Sequence, residues 1–105
     1  MYNLVRTEFI QIMKELVKKG IDFNMWTDDF NGNVGINIIG KNGNMVDISQ
    51  YTSPVRYDDK TAKYRVIPIG LSIMYRTKMG SDTFDEGNDV DGFLSDILEF
   101  IGEEQ

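Results

Sequence analysis

Between Ile21 and Tyr75 apolar residues recur mostly at every second position, while on either side of that stretch they recur at every third or fourth. A two-residue period places side chains on one face of a strand, and a helical period places them on one face of a helix. The chain is therefore patterned as helix, strands, helix. At its start Val5, Phe9, Ile12, Met13 and Leu16 form an apolar stripe that Ile10 and Val17 widen, which predicts a helix over residues 3–19. Lys18 and Lys19 suit the negative end of its dipole, and Gly20 supplies the stop. At its end Val90, Phe93, Leu94, Ile97, Leu98 and Ile101 share one helical face and predict a helix over residues 89–101. Asn88 or Asp89 can cap its first turn, and Asp91 sits where the dipole favours an anion.

The middle reads as antiparallel strands. Ile21, Phe23 and Met25 alternate in a strand ending near Asp28-Asp29, Val34, Ile36 and Ile38 in the next, and Val46 and Ile48 in the one after. The GKNGN turn between the last two sets their register. A two-residue Asn42-Gly43 turn would set Ile38 against Asp47, whereas a three-residue loop, Lys41-Asn42-Gly43 with Gly43 left-handed, pairs Ile38 with Val46 and Ile36 with Ile48. The bulged turn is expected. A second hairpin is expected around 58–61, then a strand carrying Ile67, Ile69, Leu71, Ile73 and Tyr75 on one face. Pro68 lacks a donor, so that strand lies at an edge or is bulged there. Residues 78–88 read as a glycine-containing acidic loop. The expected fold is α+β, an antiparallel sheet of four to five strands with an N-terminal and a C-terminal helix on one face, in a single domain spanning residues 1–105.

At 105 residues the chain is long enough for one core. Absent cysteine removes disulfides, thiolate metal sites and a cysteine nucleophile. Absent histidine removes the commonest general base near neutral pH, any Ser-His pair and imidazole ligands. No serine stands in a nucleophile-elbow context, and no glycine cluster forms a phosphate-binding pattern. The acid pairs Asp28-Asp29 and Asp58-Asp59 fall in expected turns, where aspartate serves local hydrogen bonding. The expectation is a chain that is not an enzyme and needs no cofactor. With no long apolar run and no charged-then-apolar leader, it is expected in the cytoplasm and away from membranes.

Charge is unevenly placed. Residues 56–78 carry Arg56, Lys60, Lys63, Arg65, Arg76 and Lys78 against Asp58 and Asp59, whereas residues 79–105 carry nine acids and no base. A calcium loop does not explain the acids. With Gly87 at the loop's glycine position Phe84 stands where a ligand is needed, and with Gly92 there Gly87 and Leu98 do. Asp89, Asp96, Glu99 and Glu103 instead fall opposite the apolar stripe of the second helix, which makes an acidic outer face. A solvated surface is the plain explanation of such a face. Direct nucleic-acid binding rests on the interleaved bases and aromatics Arg56, Tyr57, Lys60, Lys63, Tyr64 and Arg65, against a net charge of −6 that opposes it.

A folded array of carboxylates can occupy a protein groove built for phosphates, since charge complementarity governs encounter and orientation. The residues available for this are Asp82, Asp85, Glu86, Asp89, Asp91, Asp96, Glu99 and Glu103. In this profile the chain resembles small acidic inhibitors that phages and mobile elements deploy against nucleic-acid-handling enzymes, including anti-CRISPR proteins and DNA mimics. That resemblance, one of character rather than of motif, implies a protein partner with a basic groove. Toxin-neutralising immunity proteins and small secretion chaperones have the same profile, and for them the contact would be a sheet face or an edge strand. Nucleic-acid binding through residues 56–65 is the third reading.

Overall fold

A computed structural model describes residues 5–28, 33–52, 56–60, 63–65 and 68–103. Helix α1 (Thr7–Lys18) is followed by strands β1 (Asn24–Asp28), β2 (Asn33–Ile39), β3 (Met45–Thr52), β4 (Arg56–Asp58), β5 (Lys63–Arg65), β6 (Pro68–Arg76) and β7 (Asp82–Gly87), then helix α2 (Val90–Phe100). Five strands form one antiparallel sheet in the order β1-β2-β3-β6-β7, and β4 and β5 pair as a separate hairpin. The fold is the expected α+β arrangement, a helix at each end of an antiparallel sheet.

Alternation sorts the sheet into two faces. Val34, Ile36, Ile38, Val46, Ile48, Leu71, Ile73 and Tyr75 point inward, where Phe9, Ile12 and Leu16 of α1 and Phe93, Leu94, Ile97 and Ile101 of α2 close over them. Each fully buried Ile or Leu contributes roughly 1.5–3 kcal/mol. Gln50 is the one polar side chain in this core among the described residues. Its Oε1 accepts from the Arg6 N–H at 2.7 Å and its amide reaches Asn33 Oδ1 at 3.4 Å.

Arg6 also explains where α1 begins. The residue is held extended by Gln50, while its guanidinium makes two bonds to Glu8, at 3.1 and 2.7 Å, and holds that carboxyl below its ordinary pKa. Helix therefore starts at Thr7 rather than near Asn3, and residues 1–4 lie outside the described ones. Ile10 and Val17 do not widen the buried stripe. They are 37% and 66% exposed, and α1 buries only the narrower face that meets the sheet and α2.

Both helices stop the same way. Gly20 (φ 71°) donates to Val17 O and Ile21 to Leu16 O; Gly102 (φ 82°) donates to Glu99 O and Glu103 to Leu98 O. These paired bonds are Schellman closures, which a left-handed glycine makes without strain.

The turn Lys41-Asn42-Gly43 has the bulged form expected, with Gly43 at φ 87°, Ile38 opposite Val46 and Ile36 opposite Ile48. Gly40 N–H donates to Asn44 O at 2.7 Å and Gly43 N–H to Gly40 O at 3.0 Å. The same design recurs at Lys78-Met79-Gly80, where Gly80 has φ 93°, its N–H bonds Thr77 O at 2.8 Å, and Thr77 N–H bonds Ser81 O at 2.9 Å.

Three expectations are corrected here. Residues 78–88 are not a loop: six of them form β7, pairing with β6 from Arg76↔Asp82 to Leu71↔Gly87. Ile69 leaves the inner face, because the register slips between Tyr51↔Gly70 and Thr52↔Pro68, so Ile69 bulges out and is 45% exposed. Ile67 lies outside the described residues. The first strand begins at Asn24, not Ile21; Ile21 and Phe23 pack on the core from the approach to it, while Met25 stands 59% exposed on an edge strand. The hairpin expected around 58–61 is present as Arg56↔Arg65, Tyr57↔Tyr64 and Asp58↔Lys63.

Candidate functional site

The eight acids proposed from the sequence divide into those that cap a helix or pair with a base and those that do neither, among which Asp85 Oδ1 accepts from the adjacent Glu86 N–H at 2.9 Å. Asp89 is the N-cap of α2, its Oδ1 accepting from Gly92 N–H at 3.1 Å. Asp82 takes two bonds from the Arg76 guanidinium, at 2.7 and 3.0 Å, across the β6–β7 pair, and those bonds hold its carboxyl below the ordinary range. Glu103 lies beyond the helix and pairs with Lys41 Nζ at 3.1 Å. The four-acid face expected on α2 is thus reduced to Asp96 and Glu99, since Asp89 and Glu103 sit at the two ends and are otherwise engaged.

Asp85, Glu86, Asp91, Asp96 and Glu99 are exposed, and among the described residues none has an ion-pair partner. β7 and α2, consecutive in the chain, carry them as one acidic flank but on different sides of it: Asp85 on the inner side of β7, Glu86 on the outer side with Phe84, and Asp91 along the groove between α1 and α2. β7 is the last strand of the sheet, and α2 follows it after Asn88 and Asp89 and runs back over β6. Tyr75 marks the seam between them. It stands on the inner face of β6 opposite Thr83, and its ring meets Phe100 edge-on with centroids 5.2 Å apart. Asp85 is one inward position along β7, opposite Ile73, and Asp96 is one helical turn before Phe100. Tyr75 is 8% exposed and its Oη has no hydrogen-bond partner among the described residues. Burial, reinforced by the charges of Asp96 and Asp85, pushes its pKa up to about 12.

The opposite end of α2 is closed by side chains that sequence reasoning did not single out. Asn42 Nδ2 and Asn44 Nδ2 both donate to Phe100 O, at 2.9 and 2.8 Å, and Asn44 Oδ1 accepts from Lys78 N–H at 2.9 Å. Asn44 therefore joins the β2–β3 turn, the β6–β7 turn and the last turn of α2. The asparagines on either side of the left-handed Gly43 were the available signal, since a turn at the end of a sheet is where a helix terminus finds donors.

Other surfaces are less one-sided in charge. A groove of about 760 Å³ runs between α1 and α2, lined by Lys14 and Lys19, by Glu8, Glu15, Asp89 and Asp91, and by Leu94 and Leu98. Among the described residues no helix covers the outer face of the sheet. There Trp26 lies on Gly35, where a Cβ would overlap the indole, and Ile39, Tyr51 and Phe84 stand 68%, 42% and 69% exposed. Asn37 Nδ2 reaches Asp47 Oδ1 at 3.3 Å between them. Among the described residues no three acids gather as a metal site, and no helix is long and apolar enough to cross a membrane. Comparison with protein-family models, with curated proteins and with solved structures finds no match to this chain.

Proposed function

We propose that this is a non-catalytic binding protein that inhibits a nucleic-acid-handling enzyme by placing its acidic flank in a basic groove of that enzyme. The observation that supports the reading is the set of five exposed carboxylates, Asp85, Glu86, Asp91, Asp96 and Glu99, carried on a strand and a helix without ion-pair partners among the described residues. Acids that neither cap nor pair add self-repulsion to the fold, and a rigid array of them presents a field that a phosphate-binding groove attracts. Their scaffold limits the conformational freedom lost on binding. The phage and mobile-element inhibitors that the chain resembles in character would act this way.

The test is charge reversal where no structural bond is touched. A variant with Glu86→Lys, Asp96→Lys and Glu99→Lys should keep its circular dichroism spectrum, because exposed substitutions shift stability by under ~0.5 kcal/mol each. Wild-type protein used as bait in its native host should retain a basic nucleic-acid-handling enzyme, release it to duplex DNA or high salt, and lose it in the triple variant. A partner held equally by both proteins would remove the flank from consideration.

A second reading has its own support. Trp26, Ile39, Tyr51 and Phe84 project from one helix-free face, which suits a chaperone-like or toxin-neutralising contact. Such a contact would persist at high salt and would change Trp26 fluorescence. Nucleic-acid binding through residues 56–65 gains no comparable support.

A further inference from the structure

The flank ends in an open strand edge. Among the described residues β7 has β6 on one side only, and along the other its main-chain groups face outward, the Glu86 N–H turning back to Asp85 Oδ1 at 2.9 Å. An open edge accepts a further strand when the incoming chain complements it. A second copy of this chain would set Asp85 and Glu86 near acids like themselves, which opposes pairing of β7 with itself. A basic strand meets the opposite situation.

The inner side of that edge holds a second feature, independent of the charge. Tyr75 is more than nine-tenths buried at the β7–α2 seam, between Thr83 and Phe100, with its hydroxyl unpartnered among the described residues. A buried hydroxyl without a partner is costly, and a native structure keeps few of them. Asp85 and Asp96 flank the position from β7 and α2. Two carboxylates and a phenol oxygen form an acceptor set that, among the described residues, no cation pairs with. An ammonium or guanidinium supplies only donors, which makes it the matching group. The hydroxyl is closed to solvent, whereas Thr83, Asp85 and Asp96 are exposed side chains, so a cation reaching it has to displace these side chains rather than the core.

We propose that the β7 edge receives a basic extended segment of a partner protein as an added strand, and that one lysine or arginine of that segment lodges against Asp85, Asp96 and the Tyr75 hydroxyl. This rests on the flank being the contact surface and adds the mode of contact. Main-chain bonds to β7 would give register, and the single inward cation would select a basic side chain at one position of the segment.

The probe is a synthetic octapeptide alternating lysine and threonine, titrated into the full chain at low ionic strength and followed by amide shifts. The expected shifts concentrate on 82–87 and on the neighbours of Tyr75 and Asp96. Tyr75→Phe and Asp96→Asn should each weaken binding about tenfold, the loss of a hydrogen bond to a charged group. Asp22→Asn, which removes the same charge beside β1 at the opposite edge of the sheet, should change it less than about twofold. The same peptide N-methylated at every second residue should not bind, since it cannot form the ladder. If the methylated peptide and Tyr75→Phe bind at full strength while the triple charge reversal does not, the proposal is overturned and the acidic flank stands as a diffuse field. If no peptide binds, the added strand is likewise overturned, and the flank is then judged by its own charge-reversal test. Self-association through 82–87 without peptide would also overturn it, in favour of a second copy as the occupant.

Discussion

The two ends of α2 are held by different means. Its last turn is closed by a Schellman pair, by two asparagine amides on Phe100 O, and by the Lys41–Glu103 ion pair. Among the described residues the Asp89 cap is the one side-chain bond at its first turn, and Asp91, Asp96 and Glu99, exposed along the helix, have no ion-pair partner. The closed end consumes its polar groups, whereas the acidic flank leaves them over. Local helix stability explains the first arrangement and not the second. The helix dipole favours Asp91 near the N-terminus but disfavours Glu99 in the last turn, where no base stands. Residues at the closed end should therefore register in stability, and residues of the flank in binding.

The largest effect should come from Asn44→Ala. It removes two bonds, to Phe100 O and from Lys78 N–H, and with them the junction of two turns and a helix. A loss of roughly 1–2 kcal/mol is expected in denaturant unfolding with the slope unchanged. Asn42→Ala in the same background should cost less than the two single changes added, because both amides serve one carbonyl. Full additivity would mean that the closed end is not a coupled unit.

Gly43→Ala comes next, at about 1 kcal/mol or somewhat more. Gly43 has φ 87°, and an added Cβ would stand 3.2 Å from the Lys78 side chain, which is flexible and can yield; the backbone conformation is the larger part of the cost. An unchanged melting midpoint would mean that this turn tolerates another form. Gly80, in the twin turn, meets nothing within 4 Å, so Gly80→Ala isolates the backbone part and should cost slightly less than Gly43→Ala.

Those twin turns also show what the sequence can and cannot convey. The first was legible because apolar residues flank it on both sides, so only one loop length aligns Ile36 with Ile48. The second has the same glycine geometry, but the strand that follows it, Asp82–Gly87, contains one large apolar residue, Phe84, and that residue points to the helix-free face. An edge strand buries too little to leave a period, so β7 was not visible, and the flank it builds with α2 was legible only as a list of acids. The helices, whose stripes are buried, were legible, α2 to within one residue at each end and α1 to within one residue at its end but four at its start, where Arg6 bonds Gln50 instead. Ile69 failed for a related reason, since a bulge at Pro68 shifts the alternation by one residue without altering the composition. What the acids do individually was hidden because capping by Asp89 and pairing of Asp82 with Arg76 depend on three-dimensional neighbours.

At the first turn of α2, Asp89→Ala should cost roughly 0.5–1 kcal/mol, less than the closed end, because one exposed bond to Gly92 N–H is lost. Amide exchange offers the finer measurement, since early opening should be confined to the first turn. If exchange accelerates equally at Phe100 and Ile101, the helix opens as one unit and its two ends are not held separately.

The smallest effect at neutral pH belongs to Tyr75→Phe, and its sign is what informs. The hydroxyl has no partner among the described residues, so its removal should leave stability unchanged or slightly raised, whereas most core substitutions lower it. Alkaline pH separates the variants. In the folded protein the Tyr75 pKa is pushed up to about 12, above the ordinary value of 10.0 that an unfolded chain would show. The unfolded state then releases its proton first, so the neutral phenol's contribution is complete below pH 10.0 and is lost as pH rises toward about 12. Stability of the wild type should fall more steeply than that of Tyr75→Phe across that window. Bound basic peptide should narrow the difference, because a cation beside Asp85 and Asp96 favours the phenolate and lowers its pKa toward the ordinary value. Parallel alkaline limbs in the two proteins would mean that the Tyr75 hydroxyl is already satisfied in solution, and the seam would lose the feature that sets it apart from the rest of the flank.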